Sequence, residues 1–324
     1  MWLSGCKHII FRNAEQMERE LEMKKLALIA AVAMLAVTSQ ASAADDPKGA
    51  IGAILEAKKI VIMNDLSAAP WQFRDANGNA AGFSIDLDRM IAAKLGVDLQ
   101  LRNVEWAGLI PGLLTRKSDI LATSMTVTPK RAEQILFTKE SWYSTGVVAI
   151  VRPEAENMSW EDLNQSGKRI AVKAGTSAVD IAKQFFAKAE IQSYPNDTDT
   201  YQALKTDRVD AALNDLAVLG VVRKEYGFVS SKTPRELISQ DNWAFAVRPK
   251  DVATQQYLDA FLSEIKKDGR LEALRAYWVD SEAWKKDFLE KNSSVSEERK
   301  KLVDKLGIGA YVPESGSGNR MTLQ

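Results

Sequence analysis

A chain of 324 residues is longer than one hydrophobic core normally supports, so about two domains are expected. Apolar residues make up 46% and charged residues 27%, with 43 basic against 43 acidic side chains; this globular, charge-balanced composition gives no sign of nucleic-acid or anionic-membrane binding. The single cysteine, Cys6, and single histidine, His8, both precede a segment that reads as cleaved. A mature chain without either has no disulfide, thiolate nucleophile, serine–histidine pair or ordinary zinc site, and no cofactor is implied.

The cleaved segment is an expected export signal over residues 23–43. Lys24-Lys25 precedes the apolar run Leu26–Val37, and Ala41-Ser42-Ala43 supplies the small-x-small exit. The run is short for a membrane span, and no cysteine follows that would carry a lipid anchor. The chain is therefore expected to be secreted. Residues 1–22 sit awkwardly before a signal and read as an upstream mis-annotated start, with translation beginning at Met23. Residues 44–57 form a lead-in.

Lys59–Met63 reads as a strand and Asn64–Pro70 as the loop at its end, carrying Asp65. Trp71-Gln72-Phe73-Arg74 leads to a hairpin turn with the Asn77-Gly78 signal. Ser84 is the expected cap of a helix whose apolar face is Leu87, Met90, Ile91 and Leu95, ended by Gly96. Leu99 and Leu101 alternate along a second strand, and Trp106 opens a helix facing inward through Leu109, Ile110, Leu113 and Leu114. Strands alternating with helices argue for a mainly parallel sheet, whose ligands sit beyond the carboxyl ends of the strands. Asp65, Trp106 and Thr123–Thr126 fall at such ends.

The stretch Thr123–Arg131 carries the most chemistry. It follows the apolar strand Ile120-Leu121-Ala122 and enters a helix through Thr128 as N-cap and Pro129 at the first helical position. Hydroxyls from Thr123, Ser124 and Thr126 then lie beside Arg131, whose planar fork can hold both oxygens of a carboxylate. The plain alternative is a capped helix with a solvated arginine.

Val147–Pro153 is expected to leave the first lobe as an extended segment, and Trp243–Pro249 to return in nearly the same idiom. Between them, Arg169–Lys173 reads as a strand, Ala174–Ser177 as a tight turn, and Ser177 as the cap of a helix able to present N–H groups to an anion. An internal echo links the halves: Lys117-Ser118-Asp119 followed by Ile120–Ser124 parallels Arg208-Val209-Asp210 followed by Ala211–Asp215. A lone aspartate at a strand end is usually a helix cap. Opposite Arg131 across a cleft, Asp215 also reads as the counter-charge for an α-ammonium.

Four motifs occur in order: Pro70-Trp71-x-Phe73, Gly82–Leu87, Trp106-x-x-Leu109-Ile110-Pro111-x-Leu113, and Thr126-x-Thr128-x-x-Arg131. Together they resemble the extracytoplasmic (periplasmic) solute-binding proteins, family 3, that bind polar amino acids, most closely the glutamine-binding type. The resemblance runs from about Lys58 to Trp278. It implies the α/β periplasmic binding protein type II fold, with two lobes joined by two crossing segments: residues 58–148 and 242–288 in the first lobe, 149–241 in the second, and 289–324 as a C-terminal extension. It places the ligand's α-carboxylate on Arg131, Thr126 and Thr123–Ser124, helped by Ser177, and its α-amino group on Asp215. Asp65, Trp106 and Lys173 would form the side-chain pocket, with Trp71 nearby. Ala68 stands where many relatives carry an aromatic lid. Asp65 and Lys173 together fit a polar neutral side chain such as glutamine, or they pair with each other and leave room for something small.

In the C-terminal part, Tyr257–Ile265 and Leu271–Trp278 are expected helices, Glu297–Lys305 a short charged one, and Glu314–Asn319 a flexible tail. The extension is expected to be solvated. The function implied is the amino-acid receptor of an ABC importer, a monomer partnered by a membrane permease. The alternatives are a secreted enzyme on the same fold, similar to cyclohexadienyl dehydratase, and a ligand-sensing docking protein.

Overall fold

The structure, a computed structural model, describes residues 48–231, 237–292, 294–313 and 320–324. The expected signal segment and start site, with Cys6 and His8, lie outside the described residues, as does the Glu314–Asn319 tail.

The first lobe opens with the helix Gly49–Ala57 and strand β1 (Lys59–Asn64). A small antiparallel meander follows: β2 (Ser67–Ala68), β3 (Gln72–Arg74) and β4 (Ala80–Ala81). The helix Phe83–Leu95 then leads into β5 (Asp98–Asn103), parallel to β1. Ser84 is not its cap; the hydroxyl lies inside the first turn and donates to the Trp71 carbonyl at 2.8 Å, tying helix to meander. β6 (Leu136–Thr145) completes this part of the lobe.

The second lobe is built on β7 (Val147–Val151), β8 (Arg169–Lys173), β9 (Glu190–Tyr194), β10 (Ala211–Asp215) and β11 (Val229–Ser230), one sheet in the order β11-β7-β10-β8-β9. β8, β9 and β10 run parallel, while β7 is antiparallel to both its neighbours. β12 (Asp241–Val247) returns to the first lobe and pairs antiparallel with β6. Two α/β lobes with a double crossing between them make this the periplasmic binding protein type II fold.

The internal echo has a structural meaning. Asp119 accepts from the β1 backbone N–H of Val61 at 2.7 Å, and Asp210 accepts from the β8 backbone N–H of Arg169 at 2.8 Å. In both halves the aspartate's own N–H donates back to the same residue's carbonyl at 2.8 Å. Each aspartate thus registers the segment that follows it against a parallel neighbour; after Asp210 that segment is the strand β10, whereas Ile120–Ala122, expected as a strand, forms only single bridges at Ile120 and Leu121.

The crossings are shorter than the sequence suggests. Val147–Val151, expected as a connecting segment, is a strand of the second lobe, buried along its whole length between two neighbours. Trp243–Val247 belongs wholly to the first lobe. The chain passes between lobes around Gly146 and Ser239, where a Cβ on Gly146 would lie 2.0 Å from the Ser239 carbonyl oxygen. The bare backbone there lets the two crossing strands touch.

The C-terminal extension is not a solvated appendage. The helix Glu297–Leu306 buries Leu302, Val303 and Leu306, and β13 (Met321–Leu323) adds a parallel strand to β5. Arg299 is fully buried: its guanidinium grips the Asp86 carboxylate with both terminal nitrogens and lies over the rings of Trp278 and Phe288. Trp278 Nε1 donates to the same carboxylate at 2.9 Å. Burial alone would push the Asp86 carboxyl up, but Arg299 and Arg89 more than offset it and hold it below the usual range.

Candidate functional site

Arg131 is placed by the short helix Pro129–Ala132. Thr128 caps it, accepting from the Arg131 backbone N–H at 3.2 Å, with Pro129 in the first turn as the sequence indicates. The guanidinium points into the cleft. Nη1 donates to the Thr126 carbonyl at 2.8 Å and Nη2 to the Gly175 carbonyl of the opposite lobe at 3.1 Å. Arg131 is only 7% exposed, and among the described residues no carboxylate forms an ion pair with it. Burial draws its pKa down to about 10, opposed by Asp215, Asp180 and Asp241.

Asp215 ends β10 on the opposite lobe and precedes the turn Leu216–Val218, yet its side chain makes no capping hydrogen bond. Its Oδ1 is sealed from solvent and has no hydrogen-bond partner. Burial, reinforced by Asp241 and Asp197 and opposed by Arg131 and Lys173, pushes its carboxyl up to about 7. An acceptor buried without a donor is costly, so the arrangement suits a ligand that brings the donor.

Lys173 is 4% exposed and held on three sides: by Asp197 at 2.8 Å, Asp65 at 3.3 Å and the Ser67 hydroxyl at 3.0 Å. Its ammonium also lies 5.2 Å from the Trp106 ring centroid. Burial pulls its pKa down, but Asp197 and Asp65 more than offset that and raise it, so it stays charged. Asp65 is committed as well, accepting from the Trp106 backbone N–H at 3.0 Å and from the Ser67 hydroxyl. Of the two arrangements open in the sequence, Asp65 and Lys173 adopt the one in which they pair.

Between the lobes lies a cavity of about 40 Å³. Of the residues expected there, Ala68, Trp71, Trp106, Ser124, Thr126, Arg131, Lys173, Ser177 and Asp215 line it. Asp65 sits behind Lys173, and Thr123 is buried with its hydroxyl unpartnered. Ser177 is the first residue of its helix rather than the cap; Thr176 precedes it and also lines the cavity. Gln72, Asp197, Asn214, Val218 and Trp243 were not expected. Gln72 Nε2 donates to the Ser124 hydroxyl at 2.7 Å, and Asn214 Nδ2 to Asp197 at 2.8 Å. Asp197 follows the carboxyl end of β9, so the strand-end rule that found Asp215 also reaches it.

The lobes stand closed over this cavity. The Gly175 carbonyl accepts from both Arg131 and Trp106 Nε1, the latter at 3.2 Å, and Trp71 Nε1 donates across the cleft to the Ala217 carbonyl at 3.2 Å. The room left holds about three waters.

The family model for bacterial extracellular solute-binding proteins, family 3, matches residues 60–281, which include every residue lining the cavity. The chain belongs to that family. Among its relatives is the L-cystine-binding protein TcyJ of Escherichia coli K12, 26% identical over 79% of this chain and 95% of its own. Among solved structures, a P235GK mutant of the arginine-binding protein ArgBP from T. maritima is 31% identical, covering 72% of this chain and 100% of its own, with a TM-score of 0.66. The ancestral amino acid-binding protein AncCDT-1, described as a precursor of cyclohexadienyl dehydratase, is 29% identical with the same TM-score, covering 71% and 99%. The match ends before the Ala283–Leu289 helix, so the extension that buries Arg299 lies beyond the family's matched span. No helix among the described residues of this solute-binding protein is long and apolar enough to cross a membrane.

Proposed function

We propose that this solute-binding protein is the periplasmic receptor of an ABC-type importer for a free amino acid, acting as a monomer that closes on its ligand and presents it to a membrane permease. The observation that carries the reading is the pairing of opposite charges across one cavity. Arg131 on the first lobe pairs with no carboxylate among the described residues, and Asp215 on the second has a buried oxygen without a donor. A zwitterion satisfies both: its carboxylate on Arg131, its ammonium on Asp215. The relatives' names, which include amino-acid-binding proteins, support the same class. Closure couples to ligand because each lobe holds one end of it.

Glutamine, the side chain expected from Asp65 and Lys173, loses one of its two anchors, since Asp65 is occupied behind Lys173. A thermal-shift screen of the secreted chain against the twenty amino acids tests the class, because ligand held by the native state raises Tm by mass action. A shift with at least one amino acid is expected. None with any of them would overturn the reading. A second reading, an enzyme on this scaffold, draws on the Asp215 carboxyl near 7, a value suited to proton transfer. Turnover of prephenate in the same preparation would favour it.

A further inference from the structure

Asp88 lies within the helix Phe83–Leu95, wholly buried, and takes no part in the cleft. Its hydrogen bond comes from Asn64 at the carboxyl end of β1, whose Nδ2 donates to Asp88 Oδ2 at 3.2 Å. Each side chain has one more oxygen, Asp88 Oδ1 and Asn64 Oδ1, sealed from solvent and without a donor. An ionised carboxylate only accepts, so it would leave both oxygens unserved and an unpaired charge in the core. A protonated carboxyl donates. One proton on Asp88 Oδ1 serves the acid and the amide oxygen together, and the two groups then bond in both directions.

The charges nearby balance without a further carboxylate. Arg89 of the same helix donates to Asp86 at 2.8 Å and to the Ala80 carbonyl at 2.9 Å, and Arg299 of the extension also holds Asp86. Asp287, close to Arg299, accepts from the Tyr277 and Ser296 hydroxyls. Two guanidiniums thus stand against Asp86 and Asp287, and Asp88 forms no ion pair among the described residues. Burial, the largest influence on the Asp88 carboxyl, raises its pKa well above the ordinary 3.8; Asp86 adds to the rise, while Asn64 and Arg89 oppose it. The joint stands directly behind the cleft. The Asn64 carbonyl accepts from the Val104 N–H at 3.0 Å, and the next residue, Asp65, pairs with Lys173 of the other lobe.

We propose that Asp88 is carried as the neutral acid and that its proton, shared with the Asn64 amide oxygen, pins the carboxyl end of β1 behind the cleft, a joint that alkaline medium opens. Infrared spectroscopy of the full secreted chain at pH 8 tests it, in an Asp215→Asn background so that the carboxyl raised to about 7 is silent. A protonated-carboxyl band should be present and should vanish in Asp88→Asn. Asn64→Leu, which deletes both partner atoms, should shift the band to higher frequency, a readout that needs no change at Asp88. The band should fade as pH rises further, and hydrogen exchange at Val104, corrected for its intrinsic rate, should quicken over the same range. Between the unfolded value of 3.8 and the folded value only the folded chain keeps this proton, so stability falls as pH rises. In denaturant melts from pH 5 to 9, the folding constant relative to the protein that also carries Asp88→Asn should drop by up to about tenfold per pH unit. No band at pH 8, a band that survives Asp88→Asn, a ratio of folding constants flat with pH, or Val104 exchange unmoved as the band fades would each overturn the proposal.

Discussion

At the scale of single residues, the proposed function rests on two groups facing one cavity: Arg131, without a carboxylate partner among the described residues, and Asp215, with a buried oxygen that lacks a donor. Arg131→Ala should abolish binding, a loss of about 2–5 kcal/mol for one partner of a desolvated pair, with Tm nearly unchanged because Arg131 bonds only to carbonyls at the cleft. Asp215→Asn should instead raise stability. Its carboxyl is raised to about 7 in the folded chain from an ordinary 3.8. The folded state therefore holds the proton more tightly than the unfolded state, and ionisation costs stability increasingly as pH rises from about 4 to 7. The empty Asp215→Asn protein should be more stable than the parent by about 1–3 kcal/mol at pH 8, and by less at pH 5.5, in denaturant melts. Binding follows the same group: an ammonium needs the ionised carboxylate, so affinity should fall below pH 7 by up to about tenfold per unit. A flat affinity between pH 5.5 and 8 would mean that Asp215 does not meet the ligand's charge. These two residues were legible in the sequence because each stands near the carboxyl end of an apolar strand. The state of Lys173 was not, because Asp197 opens a helix of the same lobe with no local sign of the pairing, and Asp65 approaches from the opposite lobe.

At the scale of elements, local chemistry marked most of the frame. Thr128-Pro129 placed a helix start, the Leu87–Leu95 spacing placed a helix, and the repeated Asp119 and Asp210 patterns placed two equivalent attachments, a full strand after Asp210 but only single bridges at Ile120 and Leu121 after Asp119. The crossings were misplaced because Val147–Val151 is apolar throughout, which in a short segment describes a central strand as well as a connector. The turn after β8 joins the lobes most tightly. Gly175 has a φ of +76°, and a Cβ there would lie 2.9 Å from the Ala107 Cα on the opposite lobe. Gly175→Ala should cost about 1 kcal/mol of stability through its left-handed backbone and should also hold the lobes apart. Ligand affinity should therefore fall well beyond the stability loss, and small-angle scattering in saturating ligand should show a larger radius of gyration than the parent. A variant that closes to the parent's radius would show that the contact is accommodated.

At the scale of the whole molecule, the extension completes the first lobe. Its strand pairs with β5 more than two hundred residues earlier in the chain, and three residues with no periodicity give no local sign of that. Arg299 was equally hidden, as one charge among many in Glu297–Lys305. Its burial on Asp86 predicts that Arg299→Ala, which leaves the carboxylate without its main partner, destabilises the protein by about 3–5 kcal/mol in equilibrium unfolding. The cleft lies away from this contact, so binding by the folded fraction should persist. Loss below about 1 kcal/mol would mean that water replaces the guanidinium and that the extension is peripheral to the fold.

The central claim is that one ligand bridges Arg131 and Asp215 through its own two charges. Calorimetric titration of the parent and of Asp215→Asn, each with the best amino acid from the screen and with its des-amino analogue, tests it most directly. The parent should prefer the amino acid by about 2 kcal/mol or more, and Asp215→Asn should bind the two with nearly equal affinity. A preference that survives the substitution would place the ammonium elsewhere and contradict the account.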